Sequence, residues 1–137
     1  MVATPHNTHR FIGAWRLVSY ETESNDGTRN HPFGSDPNGL IILDASGDFS
    51  VQIDLPPAAE PGSAPRYVAF FGSWSFDEPA GELVLVPRGT LNQQLTGTTQ
   101  RRKFQFDEPL LRLYPPPVAV DGGAMTTTVT WRRVASA

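Results

Sequence analysis

A run of three basic residues, Arg101-Arg102-Lys103, looks like a basic cluster, and its plain reading is two solvated side chains and one paired. On a strand, successive side chains point to opposite faces, so the run cannot form one phosphate patch. It sends Arg102 one way and Arg101 with Lys103 the other. A guanidinium turned into an apolar interior can polarise a carbonyl or stabilise a developing oxyanion, and the Tyr67 phenol can donate in the same way. His31 and Asp36, in the loop HPFGSDP, can serve as an acid/base pair beside a bound ligand. The alternative is that Asp36 caps a turn before Pro37 while His31 faces solvent. His6-x-x-His9 has the look of a metal pair, yet no third ligand lies within sequence reach. Asp44-x-Ser46-x-Asp48 resembles the start of a calcium loop, but its twelfth position is Leu55, and the stretch reads as a hairpin turn. No metal site is expected. The sequence has no Gly-x-Ser-x-Gly, Walker or dinucleotide motif, which leaves hydrolase, nucleotide and nicotinamide chemistry without a warrant. No cofactor is expected either.

The elements that must position these groups are strands. The sequence is punctuated throughout by 12 glycines and 13 prolines, and no helical period of useful length appears between them. Eight runs rich in β-branched and aromatic residues remain. They span 15–23, 40–44, 49–54, 67–76, 82–86, 98–106, 110–114 and 125–134. Ala45-Ser46-Gly47, the stretch from Asp77 to Gly81, and Asp107-Glu108-Pro109 have the residues that tight hairpins need. Sequential hairpins give an antiparallel up-and-down meander, and about eight such strands can close into a barrel holding one small ligand. A two-sheet sandwich has the same spacing, but closure removes edge strands that carry little protection here. The longer connections are 24–39 and 55–66, and the chain 1–137 reads as one domain.

Period-two alternation assigns the faces. On the fourth run Val68, Phe70, Gly72, Trp74 and Phe76 form an apolar, inward set, with Tyr67, Ala69, Phe71, Ser73 and Ser75 outward. The sixth run turns Gln100, Arg102, Phe104 and Phe106 inward, and the third turns Phe49, Val51 and Ile53 inward against Ser50, Gln52 and Asp54. The first run is mixed, its Trp15 face also carrying Leu17, Ser19 and Glu21. Aromatics beside a few polar groups on one face are the usual lining of a small-molecule pocket. A barrel filled by its own side chains is the competing reading.

Composition narrows the partners. With 39% hydrophobic and 18% charged residues over 137 positions the chain can bury a sizeable core, and a net charge of −3 argues against nucleic acid or an anionic membrane surface. Cysteine is absent, which removes disulfides, thiol nucleophiles and thiolate metal sites. No apolar run approaches transmembrane length, and MVATPHNTHR lacks the apolar core of a signal peptide, so a cytoplasmic monomer or homodimer is the expectation.

Gly13-x-Trp15 on the first strand and Trp131-Arg132-Arg133 on the last resemble the calycin pattern of lipocalin-like barrels. The likeness extends to the lipocalin-like domain family of small stand-alone barrels. It runs through FIGAWRLVSYE, HPFGSDPNGLIIL, GDFSVQI, YVAFFGSWSFD, TLNQQLTGTTQRR and TVTWRR, in order along nearly the whole chain. The resemblance implies that Trp15 closes one barrel end with Arg132 or Arg133 laid across it, and it draws attention to Ser50, Gln52 and Arg101. Alternation instead places Arg102 inside and those three outside, so both arginines stay candidates. Relatives also carry histidines on the fifth strand and an Asn-Pro-Asn-Trp-like stretch. This chain has ELVLVPRG and Asn92-Gln93-Gln94-Leu95 there, and a role for a barrel histidine is not expected.

The fold class expected is therefore all-β, an eight-stranded antiparallel lipocalin-like barrel with a central cavity. Ser50, Gln52, Phe70, Trp74, Phe76 and Phe104 are candidates for shaping a site for a small hydrophobic ligand. Arg101, Arg102 or Tyr67 would supply the polar contact. The resemblance also implies cofactor-independent cyclisation or isomerisation of a polyketide- or terpenoid-like molecule as one function. Non-catalytic binding or carriage is the other.

Overall fold

The computed structural model describes residues 6–55, 67–91, 96–120 and 123–134. A short helix, α1 (His6–Phe11), precedes ten strands: β1 (Gly13–Glu23), β2 (Arg29–Asn30), β3 (Asn38–Leu43), β4 (Asp48–Asp54), β5 (Tyr67–Asp77), β6 (Glu82–Thr90), β7 (Gln100–Asp107), β8 (Leu110–Tyr114), β9 (Val118–Val120) and β10 (Gly123–Arg133). All neighbours pair antiparallel. β1, β3, β4, β5, β6, β7, β8 and β10 follow one another around the sheet, and a β1–β10 pairing closes it into an eight-stranded barrel. β2 and β9 are short ribbons attached to β1 and β10. Closure leaves no long edge strand, which is the physical advantage of a barrel over a sandwich.

Two bulges set the facing. Between β1 and β10 the register slips across Leu17 and Ser19, so Val18 is the extra residue. Before the slip Trp15 and Leu17 point inward; after it Tyr20 and Thr22 do, paired with Val129 and Thr127. The slip corrects the expected inward set of the first strand, because it turns Ser19 and Glu21 to the outer surface. The second slip separates Phe71 from Gly72 opposite β6, where Gly72 faces Pro87 and Phe71 faces Gly89. Proline donates no ladder hydrogen bond, and the irregularity accommodates Pro87 inside a strand longer than the sequence suggested. Gly72 is needed there, since a Cβ would overlap the Val86 carbonyl oxygen.

The helix α1 lies where the sequence pattern offered no helical period. It is six residues long and draws its stability from tertiary contacts rather than from propensity: the Arg10 guanidinium lies over the Phe106 ring, Arg133 and Trp15 donate to its Arg10 and Phe11 carbonyls, and the Phe11 side chain docks in the barrel. Phe11, 0% exposed, enters the barrel end and meets Phe106, Phe104, Phe76 and Trp74 at ring-centroid separations of 4.9, 5.0, 5.6 and 6.2 Å.

Candidate functional site

The two barrel ends differ. At the closed end Trp15 is 0% exposed and its Nε1 donates to the Phe11 carbonyl at 3.0 Å. The Arg133 guanidinium lies over the indole, 4.1 Å from the ring centroid. It donates to Glu108 at 3.0 and 3.3 Å, to the Ile12 carbonyl at 3.1 Å and to the Arg10 carbonyl at 2.6 Å. That ion pair holds the Glu108 carboxyl below its ordinary value, the Arg133 hydrogen bonds being the main cause. Gly13 adopts φ +139°, and its missing side chain leaves room for Arg133 Nη1, which is the physical basis of Gly-x-Trp at this strand start. Arg132 pairs with Arg16 on the outer face and takes no part in the plug.

Trp74, Phe76 and Phe104 face inward, as alternation requires, but Phe11 occupies the space they enclose. They belong to the packed end rather than to the lining of a cavity, contrary to expectation. The expectation lacked the helix that fills this end.

The other half of the barrel is hollow. A cavity of about 270 Å³ is lined by Phe70, Ile41, Val51, Ile53, Val68, Leu85, Leu113, Val129 and Pro115, with Tyr20, Phe33, Gln100, Arg102 and Trp131. Arg102 is the only charged residue among these. Its Nη2 donates to Gln100 Oε1 at 3.1 Å and its Nη1 to the Arg101 carbonyl at 2.9 Å, which fixes the plane of the fork. Burial pushes the Arg102 pKa down, with Tyr20 acting in the opposite direction; arginine keeps its charge under such shifts. Trp131 is buried, and its Nε1 finds no acceptor among the described residues.

Several candidates lie elsewhere. Arg101 points outward to Asp77 at 2.9 Å and Glu82 at 3.4 Å, which corrects its placement at the ligand. Ser50, Gln52 and Tyr67 are also on the outer surface, where the Tyr67 hydroxyl donates to Gln52 Oε1 at 2.8 Å. Neither β4 nor β7 has a slip in register along these residues, so the plain alternation of the sequence governs their facing. His31 and Asp36 are exposed, and Asp44 accepts from the Ser46 amide in a hairpin turn. His9 is exposed as well, and among the described residues no cluster of three metal-ligating side chains occurs.

Besides Phe70 and Arg102, which were candidates, the aromatic and polar lining residues Tyr20, Phe33, Gln100 and Trp131 were not singled out as site residues. Tyr20 depends on the bulge at Val18, which has no sequence mark. Phe33 comes from the loop between β2 and β3 and stacks on Tyr20 with centroids 3.9 Å apart; an isolated aromatic between Pro32 and Gly34 was its visible signal. Gln100 shares the Arg102 face by alternation, and Trp131 was legible only as part of the barrel pattern.

The family model described as "Lipocalin-like domain" matches residues 12–134. The chain belongs to the lipocalin-like domain family. A search of the curated proteins matched none. Among solved structures, the chain is similar to the solution structure of a lipocalin whose gene is activated on cell transformation by the myc oncogene, at 12% identity and a TM-score of 0.43. The likeness covers 100% of this chain and 77% of that one.

Proposed function

We propose that this lipocalin-like domain encloses a small hydrophobic molecule, of polyketide or terpenoid type, in the hollow half of its barrel. The supporting observation is the apolar cavity of about 270 Å³, close to the ~300 Å³ lower bound of ligand pockets, with a single fixed guanidinium in its wall. Apolar walls provide the driving force, and the few polar groups provide orientation. Because Trp131 lines the cavity, quenching or enhancement of tryptophan emission by a panel of small apolar ligands reports occupancy. Val68→Trp, which places an indole in the lumen, should abolish that response while leaving the fold intact. A protein that binds none of the panel, and carries no molecule in native mass spectrometry as purified, would refute the proposal.

The fixed orientation of Arg102 favours a second, catalytic reading: cofactor-free cyclisation or isomerisation of the enclosed molecule. A preorganised donor in an apolar-walled lumen stabilises charge that develops on a carbonyl oxygen, and the walls hold one reactive conformer. Arg102→Met should then lose turnover of a neutral carbonyl substrate and keep its binding, whereas Arg101→Met should change neither. Unchanged turnover in Arg102→Met removes the catalytic role.

A further inference from the structure

We infer that the molecule held in this barrel carries an anionic oxygen group, a carboxylate or an equivalent two-oxygen anion, seated on the Arg102 fork. The inference rests on the cavity reading above and narrows it to a ligand class.

The reasoning begins with charge balance. Arg29, Arg88, Arg101, Arg112 and Arg133 each lie within 4.0 Å of a carboxylate. Arg10, Arg16 and Arg132 are exposed to solvent. Among the described residues Arg102 is the exception in kind: it faces the lumen, and none of the described lining residues is acidic. Its two hydrogen bonds go to neutral oxygens, a side-chain amide and a backbone carbonyl. A guanidinium has five N–H donors, so three of them make no hydrogen bond among the described residues. Placing an uncompensated cation against Leu113, Phe70 and Leu85 costs it part of its hydration. A methionine would fill the same space without that cost. The charge is useful if the ligand supplies its counterpart.

Geometry points the same way. Gln100 and the Arg101 carbonyl hold one hydrogen on each terminal nitrogen, which orients the rest of the planar fork. Two parallel N–H···O bonds to a carboxylate are the arrangement for which arginine differs most from lysine. The Trp131 indole adds a buried donor without an acceptor to the same wall. The lumen therefore has more donors than acceptors, and an acceptor-only head group suits it. A ground-state anion would bind Arg102 before any reaction, making the arginine an anchor rather than a group reserved for the transition state.

The test uses a matched pair of probes, 1-naphthoate and its neutral primary amide, titrated calorimetrically against the full chain. The wild type should bind the acid at least tenfold more tightly than the amide. Arg102→Met should bring the two to within twofold by weakening only the acid, and Arg102→Lys should restore part of the preference. A third measurement needs no variant. Acid affinity in the wild type should fall as pH drops through the pKa of the probe itself, while amide affinity stays flat. Equal binding of the two probes by the wild type overturns the anionic ligand and leaves the cavity reading standing. Absence of binding by both overturns the two together.

Discussion

Phe11→Ala is the perturbation that best tests how this barrel is divided into a packed and a hollow half. Phe11 is the side chain by which the short helix α1 seats itself, and it is 0% exposed. Truncating a buried phenylalanine to alanine costs about 3–5 kcal/mol, the larger values belonging to sites that cannot collapse. The surrounding rings of Trp74, Phe76, Phe104 and Phe106 are carried by β5 and β7, where the β5–β6 ladder holds Trp74 and Phe76 and the β7–β8 ladder holds Phe104 and Phe106. They cannot close the gap without breaking those ladders, so the upper part of the range is expected, about 4–5 kcal/mol. Edge-to-face partners at 5.0 and 6.2 Å are lost as well. Against a total stability of about 5–15 kcal/mol this leaves a weakly folded protein. The melting temperature should drop by about 15 °C. Urea unfolding followed by tryptophan fluorescence gives the number directly, with the midpoint lowered and the slope retained. Phe11→Leu should recover most of the loss, since it keeps much of the volume. A cost of Phe11→Ala below about 1 kcal/mol would mean that the helix is not seated in the barrel, and it would return Trp74, Phe76 and Phe104 to the list of cavity-lining residues.

Other expectations concern the plug, the bulge and acid stability. Arg133→Met should cost about 1.5–3 kcal/mol in chemical denaturation through its charge-assisted bonds, whereas Arg132→Met should stay within about 0.5 kcal/mol. Equal effects would show that the plug is not selective for Arg133. Gly72→Ala forces a methyl against the Val86 carbonyl and should cost at least about 1–3 kcal/mol, with hydrogen exchange accelerated along the β5–β6 ladder. The Glu108 carboxyl has a folded pKa below its ordinary value of 4.5. Its contribution is thus present above pH 4.5 and is lost as pH falls through the lower, folded value. Urea midpoints measured from neutral to acid pH should fall less steeply in Glu108→Gln than in the wild type. Parallel curves would remove Glu108 as a source of acid sensitivity.

The sequence by itself determined the strands, their antiparallel order and most of their facing. Alternation is a local property of an extended chain, and it correctly turned Arg102 inward and Ser50, Gln52 and Arg101 outward. Where the resemblance favoured the opposite facing, period two was the better guide, because nothing in β4 or β7 interrupts it at those residues. The Gly13-x-Trp15 pattern likewise reflected a local need, a backbone turn with space for a guanidinium.

Only the tertiary structure decided where the barrel is full and where it is empty. Facing inward does not say what else occupies the interior. Phe11 reaches the inward sides of β5 and β7 from a segment far from both in sequence, and it converts three candidate ligand contacts into core. The bulge at Val18 answers to the curvature of closure between the first and last strands, a constraint that no short window contains, and it is what turns Tyr20 into the lumen. Phe33 then reaches Tyr20 across a loop. Alternation decided that Arg102 points inward; three-dimensional packing decided that it meets a cavity there, with no carboxylate of the described residues beside it.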